Sequence, residues 1–96
     1  MDLRKLEIFA AVAQSGGFSA GAEQLHMAQP AVSIAVRKLE DSLGVTLFDR
    51  SSRSIALTAE GEQLLGRAQS ILQQVQDLAQ SAGDLSDLLR GELSIS

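Results

Sequence analysis

Three observations predict a mainly α-helical fold with one short β-hairpin and a long last helix. Apolar residues recur at helical spacing through most of residues 3–44. Between residues 45 and 57 they alternate with polar neighbours, as strands do. From Leu64 onward an unbroken 3.5-residue repeat begins. The 96 residues, 45% of them hydrophobic, are enough for one small core.

The first two helices are short. The first is predicted over residues 3–14, because apolar side chains share one face and "QSGGFS" ends the helix with two glycines. Ser19 has the hydroxyl that an N-cap needs, so it is predicted to cap a second helix that ends near His26.

The third helix is predicted from Gln29 to Gly44, a favourable C-terminal residue. Pro30 is tolerated there because first-turn amides have no acceptor within the helix. Ala28 is then a poor N-cap, which costs about 1 kcal/mol relative to Ser or Thr.

One apolar side chain of the third helix falls on its polar side. Ile34 lies near Ser33 and Arg37, opposite the stripe that is predicted to be buried. That stripe consists of Val32, Val36, Leu39 and Leu43. Ile34 is either a tolerated exposed residue or a contact with a partner.

A hairpin and a long helix are predicted to follow. Val45 and Leu47, then Ile55 and Leu57, alternate on either side of "DRSSRS". Thr58 is a suitable cap for the last helix, which has acidic residues in its first turn.

The last helix carries an apolar seam that the first 57 residues are too few to cover, since about 30 helical residues extend roughly 45 Å. The seam is therefore expected to pair with the same helix of a second copy. The predicted dimerisation residues are Leu64, Ala68, Ile71, Val75, Leu78, Ala82 and Leu85. After it, "RGELSIS" alternates, which predicts the start of a strand at residues 90–96.

Composition restricts the kinds of site that the chain can build. Without cysteine there is neither a disulfide framework nor a thiolate metal site, and one histidine alone builds no metal centre. No metal, no cofactor and no catalytic pair are therefore predicted, and the chain is not expected to be an enzyme. No apolar run approaches the roughly 18 residues that span a bilayer, so a cytoplasmic protein without a membrane partner is expected.

The net charge of −4 looks unsuited to nucleic acid, but its distribution is uneven. Residues 1–57 hold six basic and six acidic side chains, whereas the remaining 39 hold two basic and six acidic ones. Four of the first six basic residues lie between positions 37 and 53. The pattern indicates a neutral domain with one basic edge, joined to an acidic helix.

Two short helices joined by a three-residue turn, over about residues 18–37, form the unit that places its second helix in a DNA major groove. An ordinary helical pair in a small core would give the same pattern. Arg50 and Arg53 in the hairpin favour DNA, because a basic wing can reach phosphate or the minor groove. The rival interpretation is an interaction module, in which the acidic last helix binds a protein and the winged domain is only structural.

The motifs "QPAVS", "LE..LG..LF.R" and "LT..G" lie within a stretch, residues 3–65, that resembles the N-terminal winged helix-turn-helix of LysR-type transcriptional regulators. The resemblance implies a bacterial regulator that binds double-stranded DNA at a pseudo-palindromic operator as a homodimer, and forms a tetramer when whole. It divides the chain into a winged helix-turn-helix domain at 1–58, with the wing at about 45–57, a dimerisation linker helix at 59–89, and the start of a truncated effector-binding domain at 90–96. A small-molecule effector is expected only for that missing domain.

The resemblance also assigns DNA contacts, position by position. They fall on Gln29, Pro30, Ser33, Ile34, Arg37, Arg50 and Arg53. Two further DNA contacts are predicted from the helix positions alone: Ser19, at the start of the second helix, is expected to bind phosphate, and Lys38 to meet phosphate or solvent. Gln29 suits adenine N6 and N7, and Ile34 suits the C5-methyl of thymine. Ala28 and Ala35 stand where the family usually has polar side chains, so base recognition is expected to depend more on apolar contact and DNA shape.

Overall fold

The computed structural model describes residues 1–51 and 55–94, and it confirms the predicted mainly helical class. The elements are α1 (Leu3–Ser15), α2 (Phe18–Leu25), α3 (Gln29–Leu43), β1 (Phe48–Asp49), β2 (Ala56–Leu57) and α4 (Ala59–Ser94). None of the helices in those two ranges combines the length and hydropathy needed to cross a membrane.

α1 begins at a cap that the sequence analysis did not identify. The carboxylate of Asp2 accepts the backbone N–H of Lys5 at 2.9 Å and contacts the Lys5 ammonium at 2.9 Å. The hydrogen bond from the Lys5 ammonium is the main reason that the pKa of Asp2 lies below its usual value, and the bond from the Lys5 backbone N–H lowers it further. The helix ends at Gly16, which has a φ of 87°, so the predicted glycine stop is confirmed.

α2 begins two residues earlier than a Ser19 cap would allow. Phe18 is its first residue and has its ring in the core, and Gly17 stands at the cap position without a side-chain bond. Ser19 therefore lies inside the first turn, and its predicted role as N-cap is wrong. The helix ends at His26, which takes the left-handed conformation with a φ of 56°.

α3 follows the sequence prediction closely. Ala28 makes no side-chain cap bond, Pro30 sits in the first turn, and Gly44 ends the helix with a φ of 73°. The stripe predicted to be buried is indeed in the core, with Leu43 half-buried at its end.

The hairpin pairs Phe48 with Leu57 and Asp49 with Ala56 in an antiparallel register. Each strand has only two residues, so the wing is shorter than the alternating pattern suggests. The ring of Phe48 meets the rings of Phe9 and Phe18 edge-on, each at 5.6 Å between centroids. The wing is therefore anchored in the same core as α1 and α2.

α4 starts where predicted and ends later than predicted. Thr58 caps it by accepting the Gly61 N–H at 2.9 Å. The helix continues through Ser94, so the strand predicted from residue 90 is wrong for residues 90–94. A five-residue alternation competes poorly with an existing helix, which gains one hydrogen bond for each residue added. Residues 95 and 96 lie outside the described ranges.

Candidate nucleic-acid interface

α2 and α3 form the predicted helix-turn-helix. The turn consists of residues 26–28, and the N–H of Met27 bonds to the carbonyl of Ala22 at 2.9 Å. Gly21 lets α2 approach α1 closely, since a Cβ there would lie 2.9 Å from a methyl group of Val12. α1 and α2 therefore support α3 from behind and leave one of its faces free.

The free face of α3 carries the side chains that were predicted to contact DNA. Ile34 is 56% exposed, and Ser33 is half-buried. The other members of this face are exposed: Gln29, Pro30, Arg37 and Lys38. The helical spacing that placed Ile34 opposite the buried stripe is thus confirmed.

A side-chain hydrogen bond joins the starts of the two helices. The Ser19 hydroxyl donates to the Gln29 Oε1 at 2.8 Å, between the second residue of α2 and the first residue of α3. The two residues line a shallow hollow together with Glu23, His26 and Met27.

Arg50 is held against the surface of the domain by Glu40. Arg50 Nη1 lies 3.2 Å from Glu40 Oε1, and its Cζ lies 5.2 Å from the centre of the Phe18 ring. The other carboxylate oxygen of Glu40 accepts the N–H of Leu47 at 2.7 Å and of Phe48 at 3.4 Å. This buried carboxylate therefore connects α3 to the wing. Arg50 takes part in this connection through its ion pair with Glu40.

Sequence patterns contained no sign of the role of Glu40, because its hydrogen-bond partners lie seven to ten residues further along the chain, across a turn. Helical and strand periodicity contain no signal for such a contact. The motif "LE..LG..LF.R" holds both Glu40 and Arg50, and their opposite charges were the only sequence feature that could have suggested the pair.

Two further basic side chains lie beside α3. α1 and α3 border a shallow groove, and Arg4 and Lys5 face Ile34 and Lys38 across it. Arg4 also reaches the turn of the helix-turn-helix, with Nη2 donating to the Met27 sulfur at 3.4 Å. Both residues belong to the six basic side chains of residues 1–57, and the sequence pattern assigned neither of them a position beside α3. Arg53, a predicted wing contact, lies outside the described ranges.

The predicted dimerisation seam divides into two parts. Leu64 packs half-buried on the core, and Ala68 is only 3% exposed within the protomer. From Ile71 to Leu85 the side chains of the seam face solvent. Their exposures are 42% for Ile71, 40% for Val75, 70% for Leu78 and 58% for Leu85, and Ala82 is exposed as well.

Comparison with known proteins agrees with this geometry. Residues 3–62 match the family described as bacterial regulatory helix-turn-helix proteins of the lysR family. The chain is 43% identical over 96 residues to an uncharacterised HTH-type transcriptional regulator from the ibpB-leuC intergenic region of Azotobacter vinelandii, and it covers 67% of that protein. It is 36% identical over 96 residues to the RuBisCO operon transcriptional regulator of Allochromatium vinosum, of which it spans only 32%.

Solved structures of similar proteins include complexes with DNA. The DNA-binding domain of BenM bound to benA site 1 DNA is 32% identical, with a TM-score of 0.86 over 90% of this chain and 97% of that one. The DNA complex of the CbnR DNA-binding domain is 41% identical, with a TM-score of 0.77 over 94% of this chain and 99% of that one.

Proposed function

This chain belongs to the LysR family of bacterial regulatory helix-turn-helix proteins, and from that membership we propose that it is the DNA-binding part of a transcriptional regulator that recognises an operator sequence. The family consists of regulators, so the chain is not an enzyme. The observation that carries the proposal is the free face of α3, presented by a fold similar to that of domains solved on DNA. The protein is expected to act in the cytoplasm.

In the proposed complex, α3 lies in the major groove and its exposed face contacts base edges. Ile34 packs against a thymine methyl group, and Arg37 bonds to guanine or phosphate. Lys38 supplies a phosphate contact at one edge, beside Arg4 and Lys5, which are paired with Glu7 and Asp2. Arg53 is the proposed wing contact, because the Arg50 guanidinium is already paired with Glu40.

A homodimer through the distal part of α4 sets the spacing of the two half-sites. The exposed seam from Ile71 to Leu85 supports it, because apolar side chains repeated every 3.5 residues fit the same helix of a second copy. We also propose that the whole protein carries an effector-binding domain that starts at about residues 90–96, and that tetramer formation and effector binding depend on it.

Selection of bound sites from random double-stranded DNA, followed by titration at several salt concentrations, tests the DNA proposal. Pseudo-palindromic sites should be enriched, and affinity should fall as salt rises. Arg37→Ala should weaken binding and reduce the salt slope by about 1, whereas Arg90→Ala, with the same charge change on distal α4, should do neither. Binding without sequence enrichment would overturn the proposal.

The contact proposed for Ile34 has its own readout. Ile34→Ala should lose most affinity on sites with thymine at one position, because only thymine offers the C5-methyl group. An equal loss on every site would make Ile34 a tolerated exposed residue instead.

Sedimentation velocity tests the dimer. Leu78→Asp with Leu85→Asp should give monomers that keep the helical content of the domain. Gln73→Asp with Gln80→Asp adds the same charge at the same spacing on the opposite side of α4, and it should remain dimeric. A dimer that survives the leucine changes would move the interface elsewhere.

A further inference from the structure

The contact between Ser19 and Gln29 has a consequence for base recognition, because each group has a fixed supply of donors and acceptors. A serine hydroxyl carries one donor, and a phosphate oxygen without a proton only accepts. The single Ser19 proton is directed at Gln29 Oε1, 2.8 Å away. In this arrangement the side chain of Ser19 has no donor left for a phosphate.

One neighbour of the pair, Glu23, also disfavours a phosphate. Glu23 lines the same hollow as Ser19 and Gln29. Its carboxylate is an acceptor with a negative charge, so it repels phosphate and cannot replace the missing donor.

The same hydrogen bond decides which end of the Gln29 amide is free. With Oε1 turned toward Ser19, the NH₂ group at Nε2 points away from α2 and retains its two donors. Recognition of adenine by glutamine requires Oε1 to accept from N6 while Nε2 donates to N7. Ser19 occupies one of the two lone pairs of Oε1, whereas both donors of Nε2 are free, so the amide is better suited to a base edge that offers only acceptors.

We propose that Ser19 is a positioning residue that orients the Gln29 amide, so that Gln29 donates through Nε2 to an acceptor edge, guanine N7 and O6 or thymine O4, instead of pairing with adenine. This inference rests on the proposed DNA-binding function and specifies how one residue of that interface selects its base. It replaces the sequence-based expectations of an adenine contact for Gln29 and of a phosphate contact for Ser19.

The test determines base preference at each operator position, with the full chain, for wild type and three variants. Wild type should prefer guanine or thymine at the position that Gln29→Ala makes indifferent. Ser19→Ala should shift that position toward adenine or broaden it, by roughly fivefold in relative affinity, which is the scale of one hydrogen bond. Preferences at the other positions should stay unchanged. Ser19→Thr keeps the hydroxyl and should restore the wild-type preference.

A double-mutant cycle separates positioning from a direct contact. If Ser19 acts through Gln29, Ser19→Ala should have no further effect in the Gln29→Ala background. A uniform loss of affinity on all sites that persists in that background would make Ser19 a phosphate ligand and overturn the inference. A wild-type preference for adenine at the Gln29 position would overturn it too.

The two proposals fail in different ways. If wild type enriches no sequence at all, the proposed function fails. If it enriches a site and the Ser19 variants behave uniformly across it, only the inference about Ser19 fails.

Discussion

The two halves of α4 carry the same apolar repeat and meet different surroundings. In the proximal half, residues 59–72, Gly61 and Ala68 are buried against the folded domain. In the distal half, from residue 73 to 90, Leu78 and Leu85 are 70% and 58% exposed. A heptad pattern fixes which side chains share a face, but it does not state what covers that face.

The contrast extends to polar contacts. In the folded domain Glu40 is 8% exposed and its carboxylate accepts hydrogen bonds from two backbone amides and one guanidinium. On the distal half, the side chain of Asp84 accepts one exposed bond from Gln80 at 3.0 Å. Equal chemical changes in the two regions should therefore have unequal effects on stability.

The largest effect is expected at Glu40. Glu40→Ala leaves two amides and the Arg50 charge without their partner, so the free energy of unfolding should fall by about 3 kcal/mol. Asp84→Ala should change it very little. Urea denaturation followed by circular dichroism gives both values, and similar losses would contradict the contrast between the two regions.

Next comes the glycine at the start of α4. A Cβ at Gly61 would overlap the carbonyl oxygen of Leu47, so Gly61→Ala should cost about 2 kcal/mol of unfolding free energy. Nothing lies within 4 Å of a Cβ at Gly66 or Gly83. Alanine at either position should stabilise the helix by about 1 kcal/mol, since glycine is the poorer helix former. If alanine raised the free energy of unfolding at all three positions, the carbonyl of Leu47 would have to move aside at Gly61.

The matched alanines of the repeat should differ by less. Ala68 and Ala82 lie fourteen residues apart at equivalent positions of the repeat, and only Ala68 is buried in the protomer. Ala68→Leu should overpack the core and cost about 1.5 kcal/mol. In the Leu78→Asp with Leu85→Asp background, in which the proposed dimer is absent, Ala82→Leu should leave thermal stability unchanged or raise it. If both substitutions destabilise that variant equally, Ala82 is packed within the protomer as Ala68 is.

The smallest effect concerns pH. The hydrogen bond from Lys5 lowers the pKa of Asp2 in the folded state, so the unfolded chain binds a proton first as pH falls. The stability from this cap is present above an unfolded pKa of about 4 and is lost as pH drops through the lower folded value. Asp2→Asn keeps a capping oxygen without titrating, so its unfolding free energy should depend less on pH below about 4. If the unfolding free energies of the two proteins fell identically with pH below about 4, Asp2 would not contribute to the pH dependence of stability.

Much of the domain could be predicted from local signals. Gly16 and Gly44 end helices where expected, and the spacing along α3 correctly divided its buried stripe from its exposed face. Local signals failed where adjacent residues could play the same part, as at the start of α2. Ser19 is not the N-cap because burial of the Phe18 ring starts α2 two residues earlier.

By itself the sequence determined the helices, the wing and the family resemblance, because periodicity and helix-ending residues act within one or two turns of the chain. Only the tertiary structure decided the roles of side chains that meet across elements. It paired Arg50 with Glu40, joined Ser19 to Gln29, and buried Ala68 while it left the equivalent Ala82 exposed. Those outcomes depend on which surfaces the turns bring together, and no local pattern encodes that.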